Sequence, residues 1–181
     1  NGARCAFAYA FSKNYCKREG SFEASDGLHQ GIIVHENEND WIVRITLNIN
    51  AAPTVINDGS CFANTGVPHN VRFVDEISSI DVKKEGALLR HNKELFPDGA
   101  NINFVMIGNN ELFIRTYERG VEDETLACGT GITAAALVAN RFHKIPFPVI
   151  VHAAGGLLQV NEQNGIFWLE GPAQHVFTST Y

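Results

Sequence analysis

The residues best suited to chemistry are a cysteine and two glycines in the run Ala127-Cys128-Gly129-Thr130-Gly131. The alanine-rich stretch from about 131 to 141 that follows is typical of a helix. A thiol at a helix N-terminus lies beside free backbone N–H groups at the positive end of the helix dipole, which favours the thiolate. The pattern therefore predicts a lowered pKa for the Cys128 thiol, which could then take a proton from carbon.

The same turn is suited to holding an anion. Backbone N–H groups at helix N-termini bind carboxylates, and glycine lets a ligand approach the backbone closely. Abstraction of the α-proton of an amino acid needs both a base and a carboxylate anchor. The simpler alternative is that Cys128 is a small buried hydrophobic residue at a tight turn, and spacing alone slightly favours that role.

Segments along the whole chain resemble the diaminopimelate epimerase family. Residues 117–121 (Tyr-Glu-Arg-Gly-Val) and 124–131 (Glu-Thr-Leu-Ala-Cys-Gly-Thr-Gly) are similar to the family's second signature. Residues 1–5 resemble the end of its first signature, residues 96–105 a third segment, and residues 171–173 the opening of its closing strand. Proline racemases share the Cys-Gly-Thr-Gly turn, but not the Glu-Arg-Gly sequence before it or the Asn-Ile-Asn-Phe strand.

The resemblance implies a cofactor-independent isomerase of lysine and cell-wall precursor synthesis. In that family two cysteines face the α-carbon from opposite sides and interconvert LL- and meso-diaminopimelate, with no pyridoxal phosphate and no metal. Cys128 matches one of them. The other would stand two residues before Asn1, so the chain is expected to be a fragment that does not epimerise alone. Cys5 is one helical turn further on and is expected to be a buried packing residue.

The resemblance also implies a set of substrate-binding residues. Glu118 and Arg119 match positions that grip the ammonium and carboxylate at the far end of diaminopimelate, and such a pair complements a zwitterion. Asn101 matches a substrate-binding asparagine. Backbone N–H groups of Gly129 and Thr130, with Asn1, are expected to bind the reacting carboxylate. The simpler alternatives are a solvated ion pair for Glu118 and Arg119 and an ordinary polar strand residue for Asn101.

The chain departs from the family pattern at two places. Gly66-Val67-Pro68-His69 stands where the family has Gly-Asn-Pro-His, so Val67 replaces a carboxamide that contacts the far end of the substrate. An extra residue and the acidic run 122–124 between Arg119 and Cys128 predict a bulging loop. Two alternatives remain open: a related racemase of the proline or hydroxyproline type, and a non-catalytic binding protein on the same scaffold.

The elements that must position these residues predict an α+β fold. Strand-like runs outnumber helices, and buried helices are expected at about 3–17 and 131–141, with a surface helix from 81 to about 92. The resemblance implies two similar units of antiparallel strands around a buried helix, with the active site in the cleft between them. Residues 1–51 would belong to the N-terminal unit, joined by a last strand at 173–181, and residues 52–172 to the C-terminal unit carrying Cys128.

Composition narrows the class of partner. The 181 residues are 45% hydrophobic, enough for a real core, and carry 14 Lys and Arg against 20 Asp and Glu without a basic run. A small-molecule partner is therefore expected, with no nucleic acid and no membrane. The resemblance implies that this partner is the amino acid diaminopimelate, and a homodimer stays open. The four cysteines lack the spacing of a metal site, and a reducing, cytoplasmic location is expected.

Overall fold

One mixed sheet forms the framework of the computed structural model, which describes residues 1–49 and 51–179. In chain order its strands are β1 (Glu19–Ala24), β2 (Gly27–Glu36), β3 (Asp40–Leu47), β4 (Thr54–Val55), β5 (Cys61–Asn64), β6 (Pro68–Phe73), β7 (Asn101–Gly108), β8 (Glu111–Glu118), β9 (Asp123–Thr125), β10 (Val149–Ala153), β11 (Gly156–Gln163) and β12 (Ile166–Gln174). Their order across the sheet is β1-β2-β3-β12-β11-β10-β8-β7-β6-β5-β4, with β9 paired to β8. Neighbouring strands are antiparallel except for β10 with β8 and β6 with β7.

Three α-helices accompany the sheet in the described residues: α1 (Gly2–Ser12), α2 (Val82–Arg90) and α3 (Gly129–His143), and a short 3₁₀ helix spans Ile77–Ser79. The α+β architecture agrees with the prediction. The structure describes no helix that is both long and apolar enough to cross a membrane.

The two larger helices differ in burial. All residues of α3 from Ile132 to Ala139 are buried, because small side chains let the helix lie close to the sheet. In α1 only Arg4, Phe7 and Ala8 are buried, so the prediction of a largely buried first helix is wrong for its outer side. The helix packs on β2, β3 and β12 through one side only, and it ends at Ser12 rather than near residue 17.

Strand β12 joins the two halves of the sheet. Its residues 167–174 pair with β3, and its residues 166–170 also pair with β11. The predicted joining strand at 173–181 is therefore placed too late: pairing begins at Phe167, and residues 175–179 do not form a strand. Residues 180 and 181 lie outside the described part. The division into two units at residues 51 and 52 stays a prediction.

The acidic segment after β8 forms a hairpin rather than the predicted bulging loop. Residues 123–125 pair with residues 116–118, and the turn between them contains Gly120 and Glu122 at positive φ. Glu124 makes two hydrogen bonds with Arg115, both at 2.7 Å, and Asp123 accepts one from Lys83 at 2.7 Å. The acidic side chains thus bind basic partners on β8 and α2, which holds this segment close to the sheet.

Candidate active site

Cys128 is the residue that immediately precedes α3. Its backbone is extended, with φ −113° and ψ 106°, and its carbonyl accepts a hydrogen bond from the N–H of Ile132. The side chain is 8% exposed, and its Sγ lies 3.4 Å from Oγ1 of Thr130. The predicted placement of the thiol at a helix N-terminus is confirmed.

The ionisation of that thiol differs from the prediction. Burial raises the pKa of Cys128, and the nearby Glu118 carboxylate acts in the same direction. Hydrogen bonds from the Thr130 hydroxyl and the Gly131 N–H favour the thiolate but do not outweigh burial. The predicted lowering of the pKa is therefore wrong in direction for the unliganded site, because desolvation of the charged form is the larger effect.

The start of α1 meets the start of α3 at this point. The Asn1 side-chain Nδ2 donates a hydrogen bond to the carbonyl of Ala127 at 2.7 Å, and its Oδ1 accepts one from Arg4 at 3.0 Å. A Cβ built on Gly129 would lie 3.5 Å from the backbone nitrogen of Asn1. Two helix N-termini thus converge, and their N–H groups and dipoles together favour a negative charge between them.

A cavity of about 150 Å³ opens beside these helix starts. Asn1, Gly129 and Thr130 line it together with residues of β1, β3 and β12. The Cβ position of Gly129 is also 3.0 Å from a methyl of Leu169, so a larger residue would crowd this wall. Asn1 is far from Gly129 and Thr130 in the sequence, yet all three residues border a single small cavity.

The Asn101 side chain fixes the backbone at Arg119 through a hydrogen bond. Its Oδ1 accepts a hydrogen bond from the backbone N–H of Arg119 at 2.8 Å, and its Nδ2 donates one to the carbonyl of Pro68 at 3.2 Å. Both side-chain atoms of Asn101 therefore have protein partners, and the residue is buried. Its contacts fix the position from which the Arg119 side chain extends.

Glu118 and Arg119 point to different partners and do not pair with each other. The Glu118 carboxylate accepts a hydrogen bond from Thr125 Oγ1 at 2.8 Å, and Glu118 lies close enough to Cys128 to affect its pKa. The Arg119 guanidinium donates to the carbonyl of Asp98 at 3.2 Å and lines a cleft of about 410 Å³. The structure thus puts Glu118 near the thiol and Arg119 at a second cavity.

The turn with Val67 contacts the loop that contains Cys128. Thr65 Oγ1 donates a hydrogen bond to the carbonyl of Thr130 at 2.9 Å, and the Thr65 N–H donates to the carbonyl of Val67 at 3.2 Å. Val67 is half-buried and lies one residue before β6. Val67, which stands where the family has asparagine, is therefore part of a turn that is hydrogen-bonded to the loop after Cys128.

A buried polar cluster below the loop was missed by the sequence interpretation. Asn103 contacts the side chains of His69 and Thr116 and the backbone of Asn70. A Cβ on Gly131 would lie 2.4 Å from Asn103 Oδ1, which places the cluster against the first turn of α3. The Pro68-His69 pair in the turn motif was the one available signal.

Cys5 does not fit its expected role. The residue is exposed, whereas the sequence interpretation expected a buried packing cysteine. The reason is that Cys5 lies on the outer side of α1, one residue from Arg4, which points inward. In the part of the chain that the structure describes, no hydrogen bond joins the Cys5 side chain to the loop of Cys128.

Solved structures define the class of fold. A phenazine biosynthesis PhzC/PhzF-type protein from Clostridium difficile superposes with a TM-score of 0.63 at 13% identity, covering 99% of this chain and 72% of that one. A protein described as an epimerase from Pseudomonas aeruginosa gives 0.62 at 13% identity, covering 97% of this chain and 73% of that one. The chain therefore has the epimerase-like fold that these proteins share.

Sequence comparison narrows this class to a family. The family model for diaminopimelate epimerase matches residues 61–176. The diaminopimelate epimerase of Flavobacterium psychrophilum is 44% identical, with 99% of this chain and 71% of that protein covered. That of Chlorobaculum tepidum is 39% identical, with 99% and 73% covered. The chain belongs to the diaminopimelate epimerase family.

Proposed function

We propose that this protein interconverts LL- and meso-diaminopimelate, using Cys128 as one of two thiols that exchange the α-proton. Family membership and the names of the relatives support the substrate. The observation that carries the mechanism is the meeting of the α1 and α3 N-termini beside Cys128, which supports a carboxylate site next to a thiol. The reaction is an isomerisation within lysine and cell-wall precursor synthesis.

Binding of the reacting carboxylate orients the α-carbon. In the proposal, the N–H groups of Gly129 and Thr130 and the start of α1 at Asn1 hold this carboxylate. Cys128 as thiolate then takes the α-proton from one side, and a second thiol gives a proton to the opposite side. The negative charge that develops in the transition state lies against preorganised N–H groups, which lowers its free energy.

The second thiol is proposed to stand two residues before Asn1. This placement is supported by the position of Asn1, whose backbone nitrogen lies beside Gly129 and whose side chain bonds to Ala127. A residue two positions upstream would have its Cα within about 7 Å of the Asn1 Cα, because an extended chain spans at most about 3.6 Å per residue. The two thiols would then flank one α-carbon.

The far end of the substrate is proposed to bind at Arg119 and Asn101, with Glu118 near its ammonium group. The cleft beside Arg119 is large enough for an amino-acid end, and Arg can bind a carboxylate through two parallel hydrogen bonds. Proline and hydroxyproline have no second amino-acid end. Arg119→Ala is therefore expected to raise the KM for diaminopimelate strongly, whereas unchanged KM and kcat would favour a proline-type substrate.

The α-proton exchange assay tests the proposed activity. A protein carrying this chain together with the residues proposed to precede Asn1 is incubated with LL-diaminopimelate in deuterated water, and α-deuterium is followed by mass spectrometry. We expect exchange and formation of the meso isomer, and loss of both in Cys128→Ser by at least about 10³-fold, since a hydroxyl is a far weaker acid than a thiol.

Two controls make this assay decisive. Cys16→Ser removes a cysteine that lies away from the loop and should leave the rate unchanged. The 181-residue chain alone should not exchange the proton at a measurable rate, and turnover by it would contradict the upstream position of the second thiol. Exchange that survives in Cys128→Ser would overturn the mechanism as a whole.

A further inference from the structure

The side-chain amide of Asn103 has a single orientation that its neighbours permit. Its Nδ2 lies 2.9 Å from the backbone carbonyl of Asn70, which can only accept a hydrogen bond. Its Oδ1 lies 3.0 Å from the hydroxyl of Thr116, which donates to it. If the amide were turned over, an oxygen would face the Asn70 carbonyl, so the NH₂ group must stand where the structure has it.

The second hydrogen of this NH₂ group has two neighbouring acceptors, of which the Asn101 carbonyl at 3.5 Å is the more distant and a histidine nitrogen the nearer. Asn103 Nδ2 lies 3.2 Å from Nδ1 of His69. An amide nitrogen only donates, so Nδ1 of His69 must accept and carries no proton. A neutral imidazole has one N–H, and in His69 that proton must therefore be on Nε2.

His69 is held in the neutral form by its surroundings. It is fully buried, and burial together with the nearby positive charge of Arg119 lowers its pKa to about 3. Its Nε2 has no hydrogen-bond partner in the part of the chain that the structure describes. A buried N–H without a partner is unfavourable, and a hydrogen-bond acceptor at this position would remove that penalty.

The position of this pair connects it to the active site. His69 and Asn103 lie on the sheet face covered by α3, and the Asn103 Oδ1 approaches the Cβ position of Gly131 to 2.4 Å. Gly131 is three residues after Cys128, and its N–H bonds to the thiol. Arg119, proposed to bind the substrate's far carboxylate, is close enough to affect the charge of His69.

We propose that Asn103 is a positioning residue that fixes His69 as the neutral tautomer with its proton on Nε2. The imidazole can then donate a hydrogen bond to an anionic atom but cannot accept a proton at neutral pH. Its use in catalysis rests on the proposed epimerase function, whereas the tautomer itself does not.

Nitrogen NMR of the imidazole tests the tautomer directly in the 181-residue chain. With ¹⁵N-labelled histidine, long-range proton–nitrogen spectra separate protonated from unprotonated ring nitrogens, and His69→Gln identifies the His69 signals among the seven histidines. We expect a protonated Nε2 and an unprotonated Nδ1 that do not change between about pH 5 and pH 8, where ordinary histidines titrate. A proton on Nδ1, or titration in that range, would overturn the proposal, and this readout does not depend on whether an Asn103 variant folds.

Replacing the Asn103 NH₂ group with an oxygen tests whether this residue fixes the His69 tautomer. In Asn103→Asp an acceptor replaces the donor, so His69 is expected to carry a proton on Nδ1, as the other tautomer or as imidazolium. Asn70→Asp is the matched control, because this buried asparagine bonds to Ser60 and Arg72 through its side chain and leaves the Asn103 contact intact. An unchanged His69 spectrum in Asn103→Asp, or an equal change in Asn70→Asp, would contradict the proposal.

The catalytic consequence is read separately, in the protein that carries both thiols. Asn103→Asp should add an ionisation to the pH profile of kcat/KM for diaminopimelate, while Asn70→Asp should keep the shape of that profile. A shifted tautomer with an unchanged profile would rule out the positioning role. Because the NMR measurement needs no turnover, its failure and the failure of the proposed epimerase activity can be told apart.

Discussion

At Cys128, burial and hydrogen bonding act on the thiol in opposite directions. Burial and the Glu118 charge raise its pKa, while the Thr130 hydroxyl and the Gly131 N–H stabilise the thiolate. A thiol of this kind is protonated at neutral pH in the unliganded site. It is suited to giving a proton. Before it can take one its surroundings must change, for example through a bound substrate whose ammonium group offsets the charge of Glu118.

Alkylation of Cys128 checks this balance. The pH midpoint of its reaction with iodoacetamide, followed on the Cys128 peptide by mass spectrometry, should lie above that of a free cysteine, about 8.5. Thr130→Val removes a hydrogen bond to the thiolate and should raise the midpoint further. Thr54→Val changes an exposed threonine in β4 and should leave it unchanged. A midpoint below that of free cysteine would contradict the effect of burial.

A second buried titratable residue, His29, lies beside the small cavity. Its Nδ1 donates a hydrogen bond to the Thr46 carbonyl at 2.9 Å, and its Nε2 lies 2.9 Å from Asp26. Burial alone would lower the pKa of His29, but these hydrogen bonds and the Asp26 charge outweigh it and raise the pKa. Protonated His29 therefore stabilises the folded state.

The sign of the pH effect follows from this raised pKa. The stabilisation is fully present below the unfolded pKa of about 6.5 and is lost as the pH rises through the higher folded value. Asp26→Asn should remove much of this dependence, as measured by urea unfolding at about pH 6 and pH 8. Glu38→Gln, at an exposed acid, is the control. Equal pH slopes in wild type and Asp26→Asn would contradict the prediction.

At the scale of elements, α2 packs on β8 through a glycine. A Cβ added at Gly86 would lie 2.4 Å from the Cβ of Tyr117 and 2.6 Å from its Cγ. The position of the Tyr117 Cβ is fixed by the β8 backbone, so this atom cannot rotate away. The close approach of α2 to β8 therefore depends on the absence of a side chain at Gly86. The contact is at Tyr117, the residue before Glu118 on the strand.

Gly86→Ala tests that close approach. Alanine favours a helix over glycine by about 1 kcal/mol, but overpacking a fixed core contact costs typically about 1–3 kcal/mol. We expect a net loss of up to about 2 kcal/mol in the free energy of unfolding measured with urea. Leu88→Ala, at an exposed position of the same helix, should change it by less than about 0.5 kcal/mol. A more stable Gly86→Ala protein would contradict the packing.

At the scale of the whole molecule, the continuous sheet couples the two halves. Strand β12 pairs with β3 on one side and β11 on the other, and one core cluster includes residues from α1, α3 and both sides of this strand. If β12 separated from either β3 or β11, apolar side chains of the shared core would be exposed in both halves. The site formed between α1 and α3 therefore depends on both halves being folded.

Unfolding should accordingly be a single cooperative transition. Fluorescence of Trp41 and Trp168, which lie in β3 and β12, and far-UV circular dichroism of the whole chain should give coincident urea curves. Leu169→Ala, in β12 and nearly fully buried, should shift both curves together by about 2–5 kcal/mol. Leu157→Ala, at a half-exposed position, is the control. Separate transitions would show that the halves fold independently.

Local sequence was sufficient for several features. A Gly-Asn-Asn run favours a turn with positive φ, and Asn109 and Asn110 have φ of 52° and 63° in the turn between β7 and β8. The alanine-rich helix and the cysteine before it were found from spacing, and the signature segments indicated the family. These features depend on residues within a few positions of each other, which is why a sequence can specify them.

Only the tertiary structure decided the properties that depend on distant residues. The raised pKa of Cys128 results from burial and from Glu118, the His69 tautomer from Asn103 and the Asn70 carbonyl, and the joining role of β12 from its register with β3. The exposed side of α1 and the hairpin at 123–125 belong to the same group. Burial and long-range pairing are set by groups far apart in the chain, so the sequence determined the kind of site, and packing determined how its residues ionise and bond.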